Sequence, residues 1–297
     1  MAVRFLEYDV VDVFAEAPYA GNQLAVVHDA AQLPDEALLA LAREFNFSET
    51  AFPTPVDEGR YRTRIFTPGG EIPFAGHPTL GTAWVLRERG ALGSSGVVQE
   101  CGAGEIGVVL DGARVELSTV PRDRLGPLDD DTVAALLAAL GLAAEDRDGD
   151  VWLAGTGLTF VHLPVKDEVV ARAVVPRGAV GHVADLPATR DPLDGINLYA
   201  VRGRSAGSPL DVHSRVFVPG LSVPEDPATG SAAAGLGIAL HARGLLADGG
   251  RYRISQGTEI GRPSVLDGRV VVDGDAVGTV HVAGSVHPVA RGQIRVP

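Results

Sequence analysis

Glu49 is the residue of this sequence whose surroundings best suit acid–base chemistry. It lies in residues 46–52, where a helical pattern ends and an apolar strand pattern begins. A carboxyl group between Phe47 and Phe52 is expected to lie in apolar surroundings, which raise its pKa and suit a general acid or base. The alternative, that Glu49 is an exposed loop residue, is the commoner fate of glutamate.

Two further ionisable residues, His77 and Asp226, stand at matching points of a weak internal repeat. Each half of the chain reads Arg-x-Phe-x-Pro, then a loop, then (His/Asp)-Pro-x-x-Gly-(Thr/Ser)-Ala. The matching pieces are residues 64–68 and 77–83 in the first half, and residues 215–219 and 226–232 in the second. The offsets are 151 residues (64 to 215) and 149 residues (77 to 226), about half of the 297-residue chain, which favours duplicated domains.

A histidine and an acid at related places in two facing domains suit the transfer or holding of protons. His77 and Asp226 each directly precede a proline that opens a predicted helix, where the missing N–H of proline does no harm. The plainer interpretations are an N-cap role for Asp226 and a loop histidine at His77.

The small residues of the repeat predict a ligand site. If both helices direct their N-termini into a cleft between the domains, their free N–H groups and positive dipole ends form an anion site. Gly76, Gly81, Gly230 and Ser231 would let the backbone approach a ligand closely, although turns and helix packing explain them equally well. Asn22, at the start of a strand, is a candidate for a substrate hydrogen bond, but such residues more often make their own turn.

Several other kinds of chemistry find no support. Cys101 is the only cysteine, so the chain forms no internal disulfide and no cysteine-based zinc site, and the eight histidines show no metal-binding spacing. Lys166 is the only lysine and lies beside two acids, which indicates a surface position. Residues 102–107 match Gly-x-Gly-x-x-Gly, but a strand follows rather than a helix, so dinucleotide binding is not indicated.

The acidic composition limits the partners. The 25 basic and 38 acidic residues give a net charge of −13, which argues against nucleic acid and against an anionic membrane surface. The longest run of low polarity, residues 133–144, is too short to cross a bilayer, and the N-terminus shows no signal peptide. We therefore expect a cytoplasmic protein.

Strand patterns dominate the chain, as its 37 glycines and 20 prolines already suggest. Strands are predicted at residues 8–14, 24–27, 60–66 and 106–110, and Asp-Gly pairs predict hairpin turns at 111–112 and 267–268. Helices are predicted at 34–45, ended by Asn46, and at 132–140, capped by Asp131 and stopped by Gly141. Residues 229–240 are small and apolar on all faces, which predicts a helix buried on every side.

Five ordered motifs carry a resemblance that runs from about Asp12 to past Pro263. They lie at residues 20–27 (AGNQLAVV), 46–50 (NFSET), 66–81 (FTP…EIPFAGHPTLG), 225–232 (EDPATGSA) and 256–263 (QGTEIGRP). Together they resemble the phenazine-biosynthesis PhzF-like isomerase family. One departure is Gln23, where the family usually has proline.

The resemblance implies an α+β fold with two pseudo-symmetric diaminopimelate-epimerase-like domains, each a β-barrel-like sheet wrapped around a central helix. The charged, proline-broken stretch 121–131 gives the boundary. We therefore expect an N-terminal domain of residues 1–120 and a C-terminal domain of residues 121–287. The C-terminal strand, residues 288–297, is a candidate to return and complete the first domain.

The resemblance also implies site residues and partners. Glu49 would be the acid/base that moves the proton, assisted by His77 and Asp226. The substrate would be held by Asn22, Ser48, Gly76, Gly230 and Ser231. Family members are usually homodimers and use no cofactor. Related epimerases use two cysteines, which the single Cys101 excludes by count.

The hypothesis from the sequence is a cofactor-independent isomerase that moves a proton within a small carboxylate-bearing substrate. Two alternatives stay open at this point. One is a non-catalytic homologue that binds a small molecule, and the other is a hydrolase using Ser231, His77 and Asp226, which lacks a nucleophile-elbow motif.

Overall fold

The structure is a computed structural model that describes residues 4–93, 95–178, 184, 186–191, 193–203, 205, 207–219 and 223–297. The chain divides into two compact units. Unit 1 comprises Met1–Ser118 and Ala283–Pro297, and unit 2 comprises Thr119–Val282. The fold is mixed α+β and consists mostly of strands. Among the described residues, no helix has the length and apolar character that a membrane span needs.

Unit 1 contains two helices and most of the strands of the first half of the chain. Its elements are β1 (Phe5–Val13), β2 (Asn22–Val27), α1 (Asp35–Phe45), β3 (Glu49–Asp57), β4 (Arg60–Thr67), β5 (Gly70–Ile72), α2 (Gly76–Glu88), β6 (Gly96–Cys101), β7 (Gly104–Asp111) and β8 (Arg114–Thr119). The long last strand, β17 (Ala276–Arg295), enters unit 1 with its C-terminal part.

Eight of these strands close a barrel in unit 1. β1 pairs with β2, β2 with β3, β3 with β4, and β4 with β6. β6 pairs with β7 and β7 with β8, and β17 joins β8 back to β1. The pairs β2–β3 and β4–β6 are parallel, because helices α1 and α2 provide the crossovers.

Helix α2 packs against the barrel strands β1, β2, β3, β6 and β7. Its residues 76–86 are all buried, which is why its sequence carries small and apolar residues on every side. Gly81 permits the closest approach, since a Cβ atom there would lie 2.6 Å from Leu24 and 2.8 Å from Val13. The amphipathic helix α1 instead buries one face, with Leu38, Leu41 and Ala42 in a separate apolar cluster.

Unit 2 repeats the same order of connections. Its elements are β9 (Asp123–Leu125), α3 (Asp130–Ala139), β10 (Trp152–Gly155), β11 (Thr159–Pro164), α4 (Asp167–Val170), β12 (Leu193–Gly203), β13 (Leu210–Phe217), β14 (Glu225–Asp226), α5 (Gly230–Ala242), β15 (Arg251–Gln256), β16 (Ser264–Asp273) and the first part of β17. β11–β12 and β13–β15 are parallel, and β10–β11, β12–β13 and β15–β16 are antiparallel. This pattern matches β2–β3, β4–β6 and their neighbours in unit 1.

The repeated Arg-x-Phe motif has the same geometry in both units. Arg64 of β4 forms two hydrogen bonds with Glu71 of β5, of 2.8 and 2.5 Å, and Arg215 of β13 forms two with Glu225 of β14, both of 2.8 Å. Each guanidinium also lies over the phenylalanine two residues on, at 5.1 Å in unit 1 and 4.9 Å in unit 2.

The second half of the predicted repeat is wrong in register. Glu71 and Glu225 occupy the same place, at an offset of 154 residues, and with this offset Gly76 and Gly230 are the first residues of α2 and α5. The pieces 77–83 and 226–232, aligned at 149 in the sequence, are therefore not equivalent. The shared pattern is Glu-x-Pro-x-x-Gly, read at 71–76 and 225–230.

Two helix starts also differ from the prediction. Helix α3 begins at Asp130 and is capped by Asp129, whose carboxylate accepts the Thr132 N–H at 2.9 Å, rather than by Asp131. Pro78 lies in the first turn of α2 as expected, but Pro227 precedes α5 by three residues and does not open it. The predictions that Asn46 ends α1 in the left-handed region and that α5 is buried on all sides are confirmed.

One predicted hairpin turn is wrong and the other lies one residue later. Asp267 and Gly268 are inside the continuous strand β16, where Gly268 faces Tyr252. A Cβ at Gly268 would lie 2.0 Å from the Tyr252 ring, so glycine is required by packing rather than by a turn. Between β7 and β8 the loop is Gly112 and Ala113, with Asp111 paired to Arg114.

Candidate active site

Four of the predicted site residues meet in unit 1. Glu49 is the first residue of β3, Asn22 is the first residue of β2, and His77 is the second residue of α2. The Glu49 carboxylate Oε2 lies 3.5 Å from the His77 Nδ1, and its side chain is only 16% exposed. The Ser48 hydroxyl donates to the Asn22 Oδ1 at 3.0 Å. These side chains thus come together at the start of α2, at the parallel strands β2 and β3 and in the loop before β3.

The hydrogen bonds fix the tautomer of His77. Because Ser48 donates to the Asn22 Oδ1, the amide NH2 of Asn22 faces the His77 Nδ1, at 3.4 Å. The Nε2–H of His77 donates to the backbone carbonyl of Gln23 at 3.2 Å, so Nδ1 carries the lone pair. Burial lowers the pKa of His77 to about 3, only partly offset by that carbonyl. A neutral imidazole therefore stands beside the Glu49 carboxyl.

The same chain of hydrogen bonds occurs a second time, in unit 2. The Ser214 hydroxyl bonds the Asn197 Oδ1, the Asn197 amide meets the His162 Nδ1 at 3.1 Å, and the His162 Nε2–H donates to the Ala154 carbonyl at 3.2 Å. Burial lowers the pKa of His162 to about 3 as well. This histidine is fully buried and packs against Gly235. A lowered histidine pKa therefore does not distinguish the candidate site in unit 1 from this second cluster. The feature that distinguishes it is the Glu49 carboxyl beside His77.

The remaining predicted residues lie at the N-terminus of α5 in unit 2. Gly230 and Ser231 are its first two residues, and Asp226 lies in β14, where its carboxylate accepts the Thr229 hydroxyl at 2.6 Å. The predicted equivalence of His77 and Asp226 is therefore wrong. Ser231 has the place in α5 that His77 has in α2, and Asp226 follows Glu225 in a short strand.

Both helix starts leave backbone donors for a ligand. The residues before α2 and α5, Ala75 and Thr229, provide no side-chain cap to the first turn of their helices. The N–H groups of Gly76 and His77, and those of Gly230 and Ser231, stand at the positive ends of two buried helices. Each start is therefore suited to a carboxylate.

A model of the PhzC-PhzF family, described as phenazine biosynthesis-like protein, matches residues 11–292. The chain belongs to the PhzF family of isomerases. Trans-2,3-dihydro-3-hydroxyanthranilate isomerases of Pseudomonas aeruginosa and Pseudomonas fluorescens are 35% and 34% identical to it, over 291 and 292 residues. These alignments cover 96% and 97% of this chain and 98% of each relative.

Solved structures agree with this membership. The crystal structure of a PhzF-family phenazine biosynthesis protein of Bacillus anthracis matches with a TM-score of 0.84, at 23% identity and over 98% of this chain and 99% of the other. A hydroxyproline epimerase of Agrobacterium vitis matches with a TM-score of 0.62 at 12% identity, over 99% of this chain and 93% of the other. The PhzF chain thus has an epimerase-like fold.

Sequence reasoning missed two polar residues at the α5 end of this PhzF-family chain. Thr229 and Gln256 contact Asp226 directly, through its carboxylate and its backbone carbonyl. A signal was present, because Gln256 begins the motif at 256–263, but its distance of thirty residues from Asp226 gave no local pattern. In the described part of the chain, no group of three or more His, Cys, Asp or Glu side chains is placed to hold a metal ion.

The lowered pKa values of two buried histidines, His77 and His162, predict an acid-labile fold. Their pKa values are about 3 in the folded PhzF chain, against about 6.5 in an unfolded chain, so the unfolded state binds more protons below pH 6.5. Stability is full above pH 6.5 and falls as the pH falls towards 3. From pH 6.5 to 5.5, His77 and His162 together should remove about 2 kcal/mol from the free energy of unfolding, measured by urea titration.

Nuclear magnetic resonance of the histidine rings provides the direct control. The ring nitrogens of His77 and His162 should keep the signals of neutral Nε2–H tautomers down to about pH 4. Ring titration near pH 6.5 at both residues would contradict the burial argument, whatever the unfolding data show.

Proposed function

We propose that this PhzF-family isomerase is cofactor-independent and moves a proton within a small carboxylate-bearing substrate. The Glu49 carboxylate takes a proton from carbon, the electron pair of the broken C–H bond shifts through the unsaturated substrate, and the carboxyl returns the proton to another carbon. The observation that supports this most is the mostly buried carboxyl group 3.5 Å from a neutral imidazole. A mostly buried carboxyl group beside an uncharged ring is suited to the role of a general acid or base.

His77 supports this role through its tautomer. With Nε2–H bound to the Gln23 carbonyl, the one lone pair of Nδ1 receives the Asn22 amide, so the ring is held neutral beside Glu49. The Asn22 amide, held by Ser48, keeps the ring in that orientation. We infer that this uncharged ring, because it places no positive charge beside the carboxyl, leaves Glu49 able to hold the proton between its removal and its return.

The helix starts bind the substrate in this proposal. The N–H groups at Gly76 and at Gly230–Ser231 hold its carboxylate and the negative charge that develops, which is often the largest contribution to catalysis. Asp226 assists from unit 2. Two pseudo-symmetric domains, residues 1–120 and 121–287, are part of the proposal. A homodimer and a cytoplasmic location stay predictions.

The hydrolase alternative has less support from the contacts. Within the described part of unit 2, the Asp226 carboxylate accepts a threonine hydroxyl, and no histidine hydrogen-bonds Ser231. A serine nucleophile needs a base in hydrogen-bond reach. Only the isomerase proposal uses the Glu49–His77 pair.

The test uses trans-2,3-dihydro-3-hydroxyanthranilate, the compound in the names of the Pseudomonas relatives, as substrate in deuterated water. Proton nuclear magnetic resonance should show conversion without added cofactor and deuterium at the new C–H position. Cys101→Ser is the control, since the thiol hydrogen-bonds the Gly104 carbonyl at 3.5 Å and a serine hydroxyl can also donate to it, and it should retain turnover within about twofold. Binding without conversion would favour the non-catalytic homologue, and loss of activity in Cys101→Ser would favour thiol chemistry.

A further inference from the structure

Gln256, the last residue of β15, makes three contacts with the segment that leads into α5. Its side chain is almost fully buried, at 2% exposure. The Nε2 donates to the Asp226 backbone carbonyl at 2.8 Å and to the Thr229 hydroxyl at 3.1 Å, and the Oε1 accepts the Thr229 N–H at 3.4 Å. A single carboxamide therefore holds both ends of residues 226–229.

The direction of these hydrogen bonds follows from the donors. The Gln256 Nε2 has two hydrogens and no acceptor site, so it donates one to each partner. The Thr229 hydroxyl oxygen accepts from Gln256, and its single hydrogen is therefore directed to the Asp226 Oδ2, 2.6 Å away. The result is a relay from Gln256 through Thr229 to the Asp226 carboxylate, in which each member orients the next.

The backbone after Gln256 is built to support this relay. Gly257 has φ +77°, and a Cβ there would lie 2.6 Å from the Pro227 carbonyl, so the turn packs directly on the 226–229 segment. Two residues later, the Glu259 carboxylate contacts the His213 Nε2 at 2.8 Å. The motif at 256–263 is thus anchored on β13 at one end and on the start of α5 at the other.

Unit 1 has a glycine contact at the equivalent point, but in a shorter turn and without the relay: two residues join β6 to β7, whereas residues 257–263 join β15 to β16. Cys101 ends β6 as Gln256 ends β15, and a Cβ at the following Gly102 would lie 2.8 Å from Pro73. In unit 1 the Cys101 thiol donates to the Gly104 carbonyl, and Ile72 stands where unit 2 has Asp226. At the start of α2, Gln99 donates to the Thr79 hydroxyl, which donates to the Ala75 backbone carbonyl. Among the described contacts, a glutamine–threonine relay that ends on a carboxylate is therefore found in unit 2.

We propose that Gln256 is a positioning residue, which acts through Thr229 to fix the orientation of the Asp226 carboxylate and of the first turn of α5 for the isomerisation. This inference rests on the proposed function and extends it, because Gln256 itself does not contact substrate. It assigns a mechanistic role to the motif at 256–263, which the isomerase proposal leaves unused.

A double-mutant cycle tests the relay. Gln256→Met keeps the shape but removes the donors, and Thr229→Val removes the hydroxyl. Each should lower kcat on trans-2,3-dihydro-3-hydroxyanthranilate by about 10–100-fold with KM changed less than about threefold, and the double variant should be no worse than either single variant. Thr229→Ser keeps the hydroxyl and should retain turnover. Turnover of Gln256→Met within twofold of the unsubstituted chain, or additive losses, would overturn the proposal.

Asn197 provides a control for the loss of a buried carboxamide. It is buried in β12 of unit 2, where its Oδ1 accepts the Ser214 hydroxyl and its Nδ2 donates to the His162 Nδ1 at 3.1 Å. Asn197→Leu should lower the Tm about as much as Gln256→Met but leave kcat within about threefold. Equal losses of kcat in both variants would mean that Gln256 acts only through stability.

Amide hydrogen exchange separates this proposal from the proposed function. If the unsubstituted chain does not convert the substrate, the proposed substrate is wrong, but exchange at residues 228–231 still reports the positioning role. Gln256→Met should speed exchange there by about tenfold or more, and Asn197→Leu should not. Unchanged exchange in Gln256→Met would overturn the positioning role independently of any turnover.

Discussion

Replacing Glu49 by glutamine is expected to lower kcat by about 10²–10⁴-fold without unfolding the protein. Glutamine keeps the shape of the side chain and its contact with the His77 region, but it cannot accept a proton from carbon. Glu49→Asp retains a carboxyl group one methylene further from the substrate and should lie between the two. Turnover is followed by the conversion of trans-2,3-dihydro-3-hydroxyanthranilate, and folding by circular dichroism.

The matched control for this substitution is Glu44→Gln. Glu44 is exposed on α1 of the same unit, so the change of charge is identical and the expected change in turnover is nil. If Glu49→Gln turned over at the unsubstituted rate, Glu49 would have no role as the base, and the proposed mechanism would be wrong at its first step.

The second large effect concerns the two equivalent Arg–Glu pairs. Glu225→Gln should destabilise the protein by about 3–5 kcal/mol, because Arg215 and Glu225 are each only 8% exposed and the guanidinium loses its countercharge in the interior. Glu71→Gln removes the same bidentate partner from Arg64, but these side chains are 40% and 42% exposed. Its cost should be at most about 1 kcal/mol.

Urea unfolding of both variants measures the difference. The two bidentate pairs have similar distances but differ in burial and in further partners, since Arg64 also pairs with Asp35 at 2.9 Å and Arg215 also donates to the backbone carbonyls of residues 170, 171 and 173. Equal losses of unfolding free energy would show that the depth of the pair does not set its contribution. The comparison needs no second protein, since the repeat supplies its own reference.

Local patterns in the sequence were sufficient for the elements and for part of the site. The predicted strands and the predicted helix at 34–45, which ends at Asn46, are confirmed. Short-range periodicity determines these elements, and the left-handed conformation of Asn46 ends the helix. The apolar stretch at 229–240 correctly indicated a helix buried on all sides. The placement of Glu49 at the start of a strand also followed from its neighbours.

Such local patterns do not predict contacts between residues that are far apart in the chain. The Ser48–Asn22–His77 chain joins three segments that only the barrel brings together. Asp267-Gly268 has the composition of a turn, yet the Tyr252 ring that occupies the missing Cβ position keeps it inside a strand. In both cases tertiary packing decided what the local sequence left open.

The predicted register of the second half of the repeat is wrong for a similar reason. The alignment of 77–83 with 226–232 rests on the proline that follows His77 and Asp226. In the structure, the equivalent features of the two units are instead the Arg–Glu pair and the glycine that begins each helix. The capping of α3 was ambiguous because three consecutive aspartates, residues 129–131, offer equivalent side chains. Only the path of the backbone selects Asp129.

The path of β17 has a consequence for biosynthesis. Residues 283–295, which complete the barrel begun by β1, follow the whole of unit 2 in the chain. During translation, the first hundred or so residues therefore leave the ribosome with two unpaired barrel edges. These edges stay unpaired until the last strand has been translated. Unit 2, whose segments are contiguous, can mature earlier, so a nascent chain stalled before Ala283 should expose the unfinished half to chaperones and proteases.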